Sequence, residues 1–260
     1  MKPFKRENII GCPFDAISFD ETVECIRQSV IQEKRIQVVT ANIDFVMKAR
    51  RDSLFAEELT RADLVVADGV PIVWAASLLG TPIRGRVNGT DLVWSCAAVS
   101  AETGAAIAMI GGMPGVAGRA ADEMRQKYPA ASMFVIPTPF PLGAAESAEI
   151  VRQVRAVNAK ILLVALGAPR QERWVQANLE LCQANVGIGI GSAFDIISGD
   201  KPRAPGWMKD NGLEWLYRLK QDPQRLAKRY LVEDSPFLIH LLRVVVTNRL
   251  RSKGGSHGQA

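Results

Sequence analysis

Residues 161–191 read ILLVALGAPRQERWVQANLELCQANVGIGIG, and this stretch decides the fold. An apolar run, Ile161 to Leu166, stops at Gly167; a helical pattern follows from Arg170 to Gln183; a second apolar run, Val186 to Ile190, stops at Gly191. Short apolar runs without polar alternation suit strands buried on both faces, and a helix between two of them is a parallel crossover. Working outward, the same unit recurs. Strands are expected at 36–40, 62–67, 105–110 and 132–136, with helices at 42–51, 70–79, 114–127 and 145–158. The opening, Glu7 to Ser18, reads as a small hairpin ahead of a helix capped by Asp20. The fold class is therefore α/β: a Rossmann-like, mostly parallel sheet flanked by helices, with an N-terminal β-hairpin and a basic helical C-terminal part.

The 260 residues are 48% hydrophobic and 23% charged, which excludes a disordered or collagen-like chain and supplies enough core to fold without staples. Cys12, Cys25, Cys96 and Cys182 lie far apart, so neither a zinc ribbon nor a disulfide framework is expected. His240 and His257 are the two histidines, and the second sits in the Gly-rich tail, which argues against a histidine metal site or a Ser-His-Asp triad. No secretory leader is expected, because Met1 to Asn8 is polar and no apolar stretch follows; nor does any run reach the roughly 18 apolar residues of a spanning helix. A cytoplasmic location with reduced thiols follows. Charge is unevenly spread. Residues 1–200 hold 20 Lys and Arg against 22 Asp and Glu, whereas residues 201–260 hold 12 against 5. Such a basic C-terminal quarter either presents a solvated helix face or meets phosphates, on nucleic acid or on an anionic membrane.

In an open parallel sheet, ligands bind beyond the carboxyl ends of the strands. The residues found there are Thr40 and Asn42, Asp68 with Gly69, Gly111 and Gly112, Arg170-Gln171-Glu172, and Asp195. Each has two readings. Thr40 and Asn42 could cap the next helix or face a ligand. Gly111-Gly112 could form only a tight turn, or could admit a phosphate to helix N–H groups. Pro169 suits the first helical position, with Gln171 and Glu172 in the first turn. Asp195 could cap its own turn. Asp68, directly after Leu64-Val-Val-Ala67, is either a helix cap or a general base. The knot Arg84-Gly-Arg86-Val-Asn88-Gly-Thr90-Asp91 is either a turn capped by Thr90 or Asp91, or a loop that brings Arg86 to a diphosphate.

Taken in order, these segments resemble the bacterial WecG/TagA/CpsF glycosyltransferase family. The likeness is carried by Thr40-Ala-Asn42, Ala67-Asp68-Gly69-Val-Pro-Ile-Val-Trp74, Arg86-Val-Asn-Gly-Thr-Asp91 and Gly111-Gly112-Met-Pro-Gly115. Gly167-Ala-Pro-Arg-Gln171-Glu172, Gly191-Ser-Ala-Phe-Asp195, Arg203-Ala-Pro-Gly-Trp207 and Gly212-Leu-Glu-Trp-Leu-Tyr-Arg218 complete it, over roughly residues 8–245. The resemblance implies an inverting, metal-independent and cofactor-free enzyme. Its donor would be a UDP-sugar and its acceptor an undecaprenyl-diphosphate-linked sugar, in cell-surface polysaccharide assembly at the inner face of the plasma membrane. It puts the base on Asp68, and substrate contacts on Thr40, Asn42, Arg86, Gln171 and Asp195; Asn88, Asp91, Gly111, Gly112 and Glu172, in the same strand-end segments, are further candidate contacts on the residues' own reading. Contacts to lipid diphosphate or membrane fall on Arg218, Arg225, Lys228 and Arg229. The implied organisation is a core over residues 1–205 and a membrane-docking appendage over 206–252, and the Gly-rich composition of 253–260 reads as a disordered tail. The chain departs from many relatives at Thr138-Pro139-Phe140-Pro141, where they carry Gly-Tyr-Phe.

The residues suit that chemistry. Inverting transfer needs one carboxylate to take the acceptor's proton and positive charge on the leaving diphosphate. The C-terminal part interleaves Trp215, Tyr217, Tyr230 and Phe237 with Arg218, Lys220, Arg225 and Arg243, a composition suited to an anionic bilayer surface. A nucleotide-dependent oxidoreductase or epimerase is the alternative, weakened because Gly111-Gly112 lacks the full dinucleotide fingerprint. Nucleic acid is not an expected partner, since phosphate tracking does not need Leu238, Ile239, Leu241 and Leu242. A homo-oligomer is compatible with the sequence.

Overall fold

The structure, a computed structural model, describes residues 4–210, 213–228 and 232–254. The chain opens with an antiparallel hairpin, β1 (Arg6–Ile9) and β2 (Cys12–Asp15), turning at Ile10 and Gly11, both at positive φ. Two left-handed residues in a two-residue turn match the twist of the flanking strands. Asp15 accepts hydrogen bonds from Arg6 Nε and Nη2 at 2.8 and 2.6 Å and from the Val65 N–H at 2.8 Å, which ties the hairpin to the sheet. Helix α1 (Phe19–Ile31) follows. Its cap is Ser18, in a capping box with Glu21, and not the expected Asp20.

Six parallel strands make the sheet, as the apolar runs foretold: β3 (Ile36–Ala41), β4 (Leu64–Ala67), β5 (Ile107–Gly111), β6 (Met133–Ile136), β7 (Ile161–Ala165) and β8 (Val186–Gly189), in the order β4-β3-β8-β7-β5-β6. The helices between them are α2 (Ile43–Arg51), α3 (Ser53–Arg61), α4 (Val70–Leu78), α5 (Gly89–Thr103), α6 (Val116–Lys127), α7 (Ala144–Ala156) and α8 (Arg170–Asn178). Alternate strand residues feed opposite faces. Val38, Val66, Met109, Leu163 and Ile188 pack with Ile26 of α1, Leu92 and Cys96 of α5 and Met124 of α6. On the other face, Val39 and Val65 pack with the hairpin, α2 and α3, while Ala108, Ile110, Leu162 and Val164 pack with α7 and α8.

After β8 come α9 (Ala193–Ile197), α10 (Gly206–Asp210), α11 (Glu214–Gln221), α12 (Pro223–Lys228) and α13 (Pro236–Gly254). Helix α13 lies along α2, with Phe237 and Leu241 buried in the same cluster as Phe45 and Val46. Arg51 donates to the Glu233 carbonyl at 3.0 Å, and Arg50 lies 3.3 Å from His240 Nδ1. The opposite side of α13 is bare: Leu238, Ile239, Leu242 and Val246 are each more than half exposed. Among the described residues, no helix is long and apolar enough to cross a membrane.

Candidate functional site

Every strand of the sheet ends at one cleft of about 2010 Å³, and its walls include Thr40, Asp68, Gly111, Ile136, Ala165 and Ile190. Drug-sized ligands fill roughly 300–1,000 Å³, so this cleft has room for two substrates side by side.

The glycines after β5 have a steric reason. Gly111 has φ +88°, and a Cβ there would lie 2.5 Å from the Ala165 carbonyl oxygen, so no other residue fits. Its N–H donates to Thr138 Oγ1 at 2.9 Å, and the Gly112 N–H donates to that same Ala165 carbonyl at 3.0 Å. Gly115, also left-handed, opens α6 without a side-chain cap, and the first turn of that 12-residue helix lines the cleft. This turn can present N–H groups to an anion.

After β7, Ala168–Pro169 is a cis peptide, and Pro169 is the N-cap of α8, one position earlier than the sequence suggested. Gln171 is buried and staples two strand ends. Its Oε1 accepts from the Gly167 and Gly191 N–H groups, both at 3.2 Å, while its Nε2 donates to Glu172 Oε1 at 2.7 Å. Glu172 lies beneath Gln171, 2% exposed, with no hydrogen-bond partner at Oε2 among the described residues. Burial pushes its carboxyl up to about 7, against the weaker opposing pull of the Gln171 hydrogen bond. Glu172 does not line the cleft. Asp195 does, and it receives Lys201 Nζ at 2.7 Å rather than capping its own helix.

Asp68 does not cap α4. The cap position is Gly69, with φ +143° and no side-chain bond. Instead the 84–91 loop folds back beside it, with the Val87 N–H donating to the Ala67 carbonyl at 2.8 Å. Asn88 then caps α5, accepting from Thr90 and Asp91 N–H at 3.1 and 3.2 Å; neither Thr90 nor Asp91 is the cap. Asn88 Nδ2 also reaches Asp68 Oδ1 at 3.4 Å, and the Gly89 N–H donates to the same carboxylate. Thr40 Oγ1 and Asp68 Oδ2 flank Gly89: a Cβ built there would sit 3.5 and 3.6 Å from them. The Thr40 hydroxyl itself donates to the Gly189 carbonyl at 3.0 Å. Asn42 caps α2 by accepting the Asp44 N–H at 3.0 Å, and it also lines the cleft.

Burial raises the Asp68 carboxyl to about 6; Arg218 and Arg86 pull it down, Glu214 pushes it up, and the Gly89 N–H pulls it down. Three of those groups form a chain of charge. Glu214 Oε1 accepts from Arg218 Nε and Nη2 at 3.1 and 2.6 Å, and its Oε2 lies 3.4 Å from Arg86 Nη1. The first turns of α11 thus reach the core's site. Glu214 escaped the sequence reading; its i,i+4 spacing to Arg218 looks like an ordinary helix-surface pair, and only the tertiary fold adds Arg86. Asp91 pairs with Arg203 and does not line the cleft. Lys228 is exposed at the end of α12, whereas the Arg225 side chain and all of Arg229 lie outside the described residues.

A crevice at the carboxyl edge of a parallel sheet is where such folds bind ligands, and this one carries Asp68, Glu214, Arg218 and an uncapped helix start on its wall, with Arg86 joined to it through Glu214 and not itself on the wall. Comparison with known proteins supplies the class: the model of the Glycosyl transferase WecG/TagA/CpsF family matches residues 7–251. The chain belongs to this family and is a glycosyltransferase, which displaces the oxidoreductase alternative. Among curated proteins it is similar to the N-acetylglucosaminyldiphosphoundecaprenol N-acetyl-β-D-mannosaminyltransferases of Staphylococcus aureus strains MW2, NCTC 8325 and COL. Each is 26% identical over 225 residues, covering 86% of this chain and 87% of the relative.

Proposed function

We propose that this enzyme moves one sugar, with inversion, from a UDP-sugar to a sugar carried on undecaprenyl diphosphate, in cell-surface polysaccharide assembly. The relatives' names favour N-acetylmannosamine as the sugar moved and N-acetylglucosamine as the acceptor sugar. The observation that carries the reading is Asp68: a carboxylate on the cleft wall, tuned to about 6 and flanked by Arg86 and Arg218. Ionised at neutral pH, it takes the proton of the acceptor hydroxyl as that oxygen bonds the anomeric carbon and the bond to the donor diphosphate breaks. The two arginines, with N–H groups at the start of α6, meet the charge that develops on the departing diphosphate. Thr40, Asn42, Gln171 and Asp195 are the cleft-wall side chains that orient the sugars and nucleotide; Asn88 holds Asp68, and Glu172 holds Gln171. The arginines and helix start are the groups this reading assigns the work of a cation.

The same reading gives residues 1–205 the role of the catalytic core and 206–252 that of an appendage that docks on the inner face of the plasma membrane. Leu238, Ile239, Leu242 and Val246 are exposed on α13 together with Arg243, and Trp207, Val232 and Lys228 are exposed elsewhere in the C-terminal part. Apolar anchors beside cations bind anionic interfaces. The test is transfer from UDP-N-acetylmannosamine to a short polyprenyl-diphosphate-linked N-acetylglucosamine, read by mass spectrometry with EDTA present. The expected product gains one N-acetylhexosamine. If no UDP-sugar gives a product on that acceptor, the reading fails; if EDTA alone abolishes transfer, its metal-free part fails.

A further inference from the structure

Two arginines assigned to a diphosphate are already occupied by a carboxylate of the same chain. We propose that Glu214 is a built-in stand-in for that diphosphate: its carboxylate holds the place between Arg86 and Arg218, and binding of the ligand exchanges one anion for the other. The inference rests on the reading of the site given above and adds a residue to it.

The geometry suits a surrogate anion. One carboxylate oxygen accepts from two nitrogens of Arg218, at 3.1 and 2.6 Å, and the other faces Arg86 across 3.4 Å. Two guanidinium groups distant in the chain are thus bridged by one pair of oxygens, as a phosphate would bridge them. Glu214 and Arg218 line the cleft and Arg86 does not, so a ligand meets the bridge from the Glu214 and Arg218 side and gains Arg86 as Glu214 withdraws. The contact to Arg86 is long, so releasing it forfeits little. Charge argues for release over retention. Arg86 and Arg218 balance Glu214 and Asp68 in the free enzyme. A diphosphate esterified at both ends brings two further negative charges, which leaves these groups at −2 with Glu214 in place and at −1 once it has swung away.

A diphosphate could come from the nucleotide or from the lipid carrier, and the two arms of the test separate them. UDP and geranyl diphosphate are titrated calorimetrically into wild type, Glu214→Gln, Glu214→Ala and Arg86→Ala, with melting curves to confirm folding. Removing the competing carboxylate should tighten one of the two ligands by about three- to tenfold in Glu214→Gln. Arg86→Ala should weaken that same ligand, and the ligand that responds names the source. If Glu214→Gln and Glu214→Ala both bind the two ligands no better than wild type while Arg86→Ala weakens one, Glu214 merely braces the arginines and the stand-in is refuted. If Arg86→Ala alters neither ligand, the diphosphate reading of the site itself fails, and the stand-in with it.

Discussion

Two walls of the cleft each carry a carboxyl that burial has pushed upward, and they differ in everything else. On one, built from β4, α5 and α11, Asp68 reaches about 6, opens onto the cleft and faces Arg218, Glu214 and Arg86. On the other, built from β7, β8 and α8, Glu172 reaches about 7 but is sealed beneath Gln171, with one oxygen unpartnered among the described residues. A shifted titration does not by itself mark a base. Access to substrate and nearby counter-charge separate a group that can trade protons from one that holds a neighbour still. Glu172, by holding Gln171, fixes the N–H staple between Gly167 and Gly191.

The comparison is sharpened most by paired neutral substitutions. Asp68→Asn is expected to lower kcat by about 10²–10⁴-fold with UDP affinity nearly unchanged, since it removes a proton acceptor and little volume. Glu172→Gln should cost less than about tenfold, because the amide oxygen still accepts from Gln171. Single-turnover assays with calorimetry decide. A reversed order would make Glu172 the group in contact with the reaction and break the contrast.

Next in size is an effect outside both walls, on the exposed face of α13, which lies along α2. Leu238→Ser with Leu242→Ser should reduce binding to vesicles containing anionic lipid by about tenfold or more. The melting temperature should stay near that of wild type, because Phe237 and Leu241, not these residues, enter the core. Unaltered sedimentation with the vesicles would remove the apolar face from membrane docking. Cutting the chain after residue 209 is a poorer probe, because it would uncover the α2 face that α13 covers.

How much of each wall was legible follows from which forces build it. The sheet was legible because buried parallel strands must be continuous apolar runs, such as Ile161-Leu-Leu-Val and Leu64-Val-Val-Ala67. Helix α3 was not, since Phe55 and Leu59 are its buried residues and a single i,i+4 pair makes a weak stripe. Caps slipped where several competent residues adjoin: Ser18 displaces Asp20, and Asn88 displaces Thr90 and Asp91. The Asp68 position was readable from its place after a strand. Its surroundings were not, because Arg86, Glu214 and Arg218 meet only through tertiary packing. The basic C-terminal part read as a separate unit, and nothing in its local pattern told that Phe237 and Leu241 would lie against α2.

A smaller effect tests the sealed wall through stability. A carboxyl whose folded-state pKa is raised favours its protonated form in the fold, so stability is greatest below the unfolded value and declines as pH rises. For Glu172 that decline runs from the ordinary value of 4.5 to about 7. Urea titrations of wild type and Glu172→Gln should therefore diverge across this window, with the variant gaining relative to wild type as pH rises. Parallel curves would mean that the carboxyl ionises in the fold without penalty.

The finest test reads the open wall by the position of the acid limb of kcat/KM, which reports ionisations of the free enzyme. Protonated Asp68 cannot take a proton, so activity should fall as pH drops through about 6. The neighbouring charges predict opposite displacements of that limb. Arg218 favours the ionised carboxylate, so Arg218→Gln should move the limb to higher pH; Glu214 disfavours it, so Glu214→Gln should move it to lower pH. Because Arg218→Gln also weakens binding, the position of the limb is the readout and its height is not. Glu172→Gln should leave it in place, since Glu172 is not among the groups acting on Asp68. A limb that followed Glu172→Gln instead would mean that the sealed carboxyl titrates in catalysis, and the distinction between the two walls would dissolve.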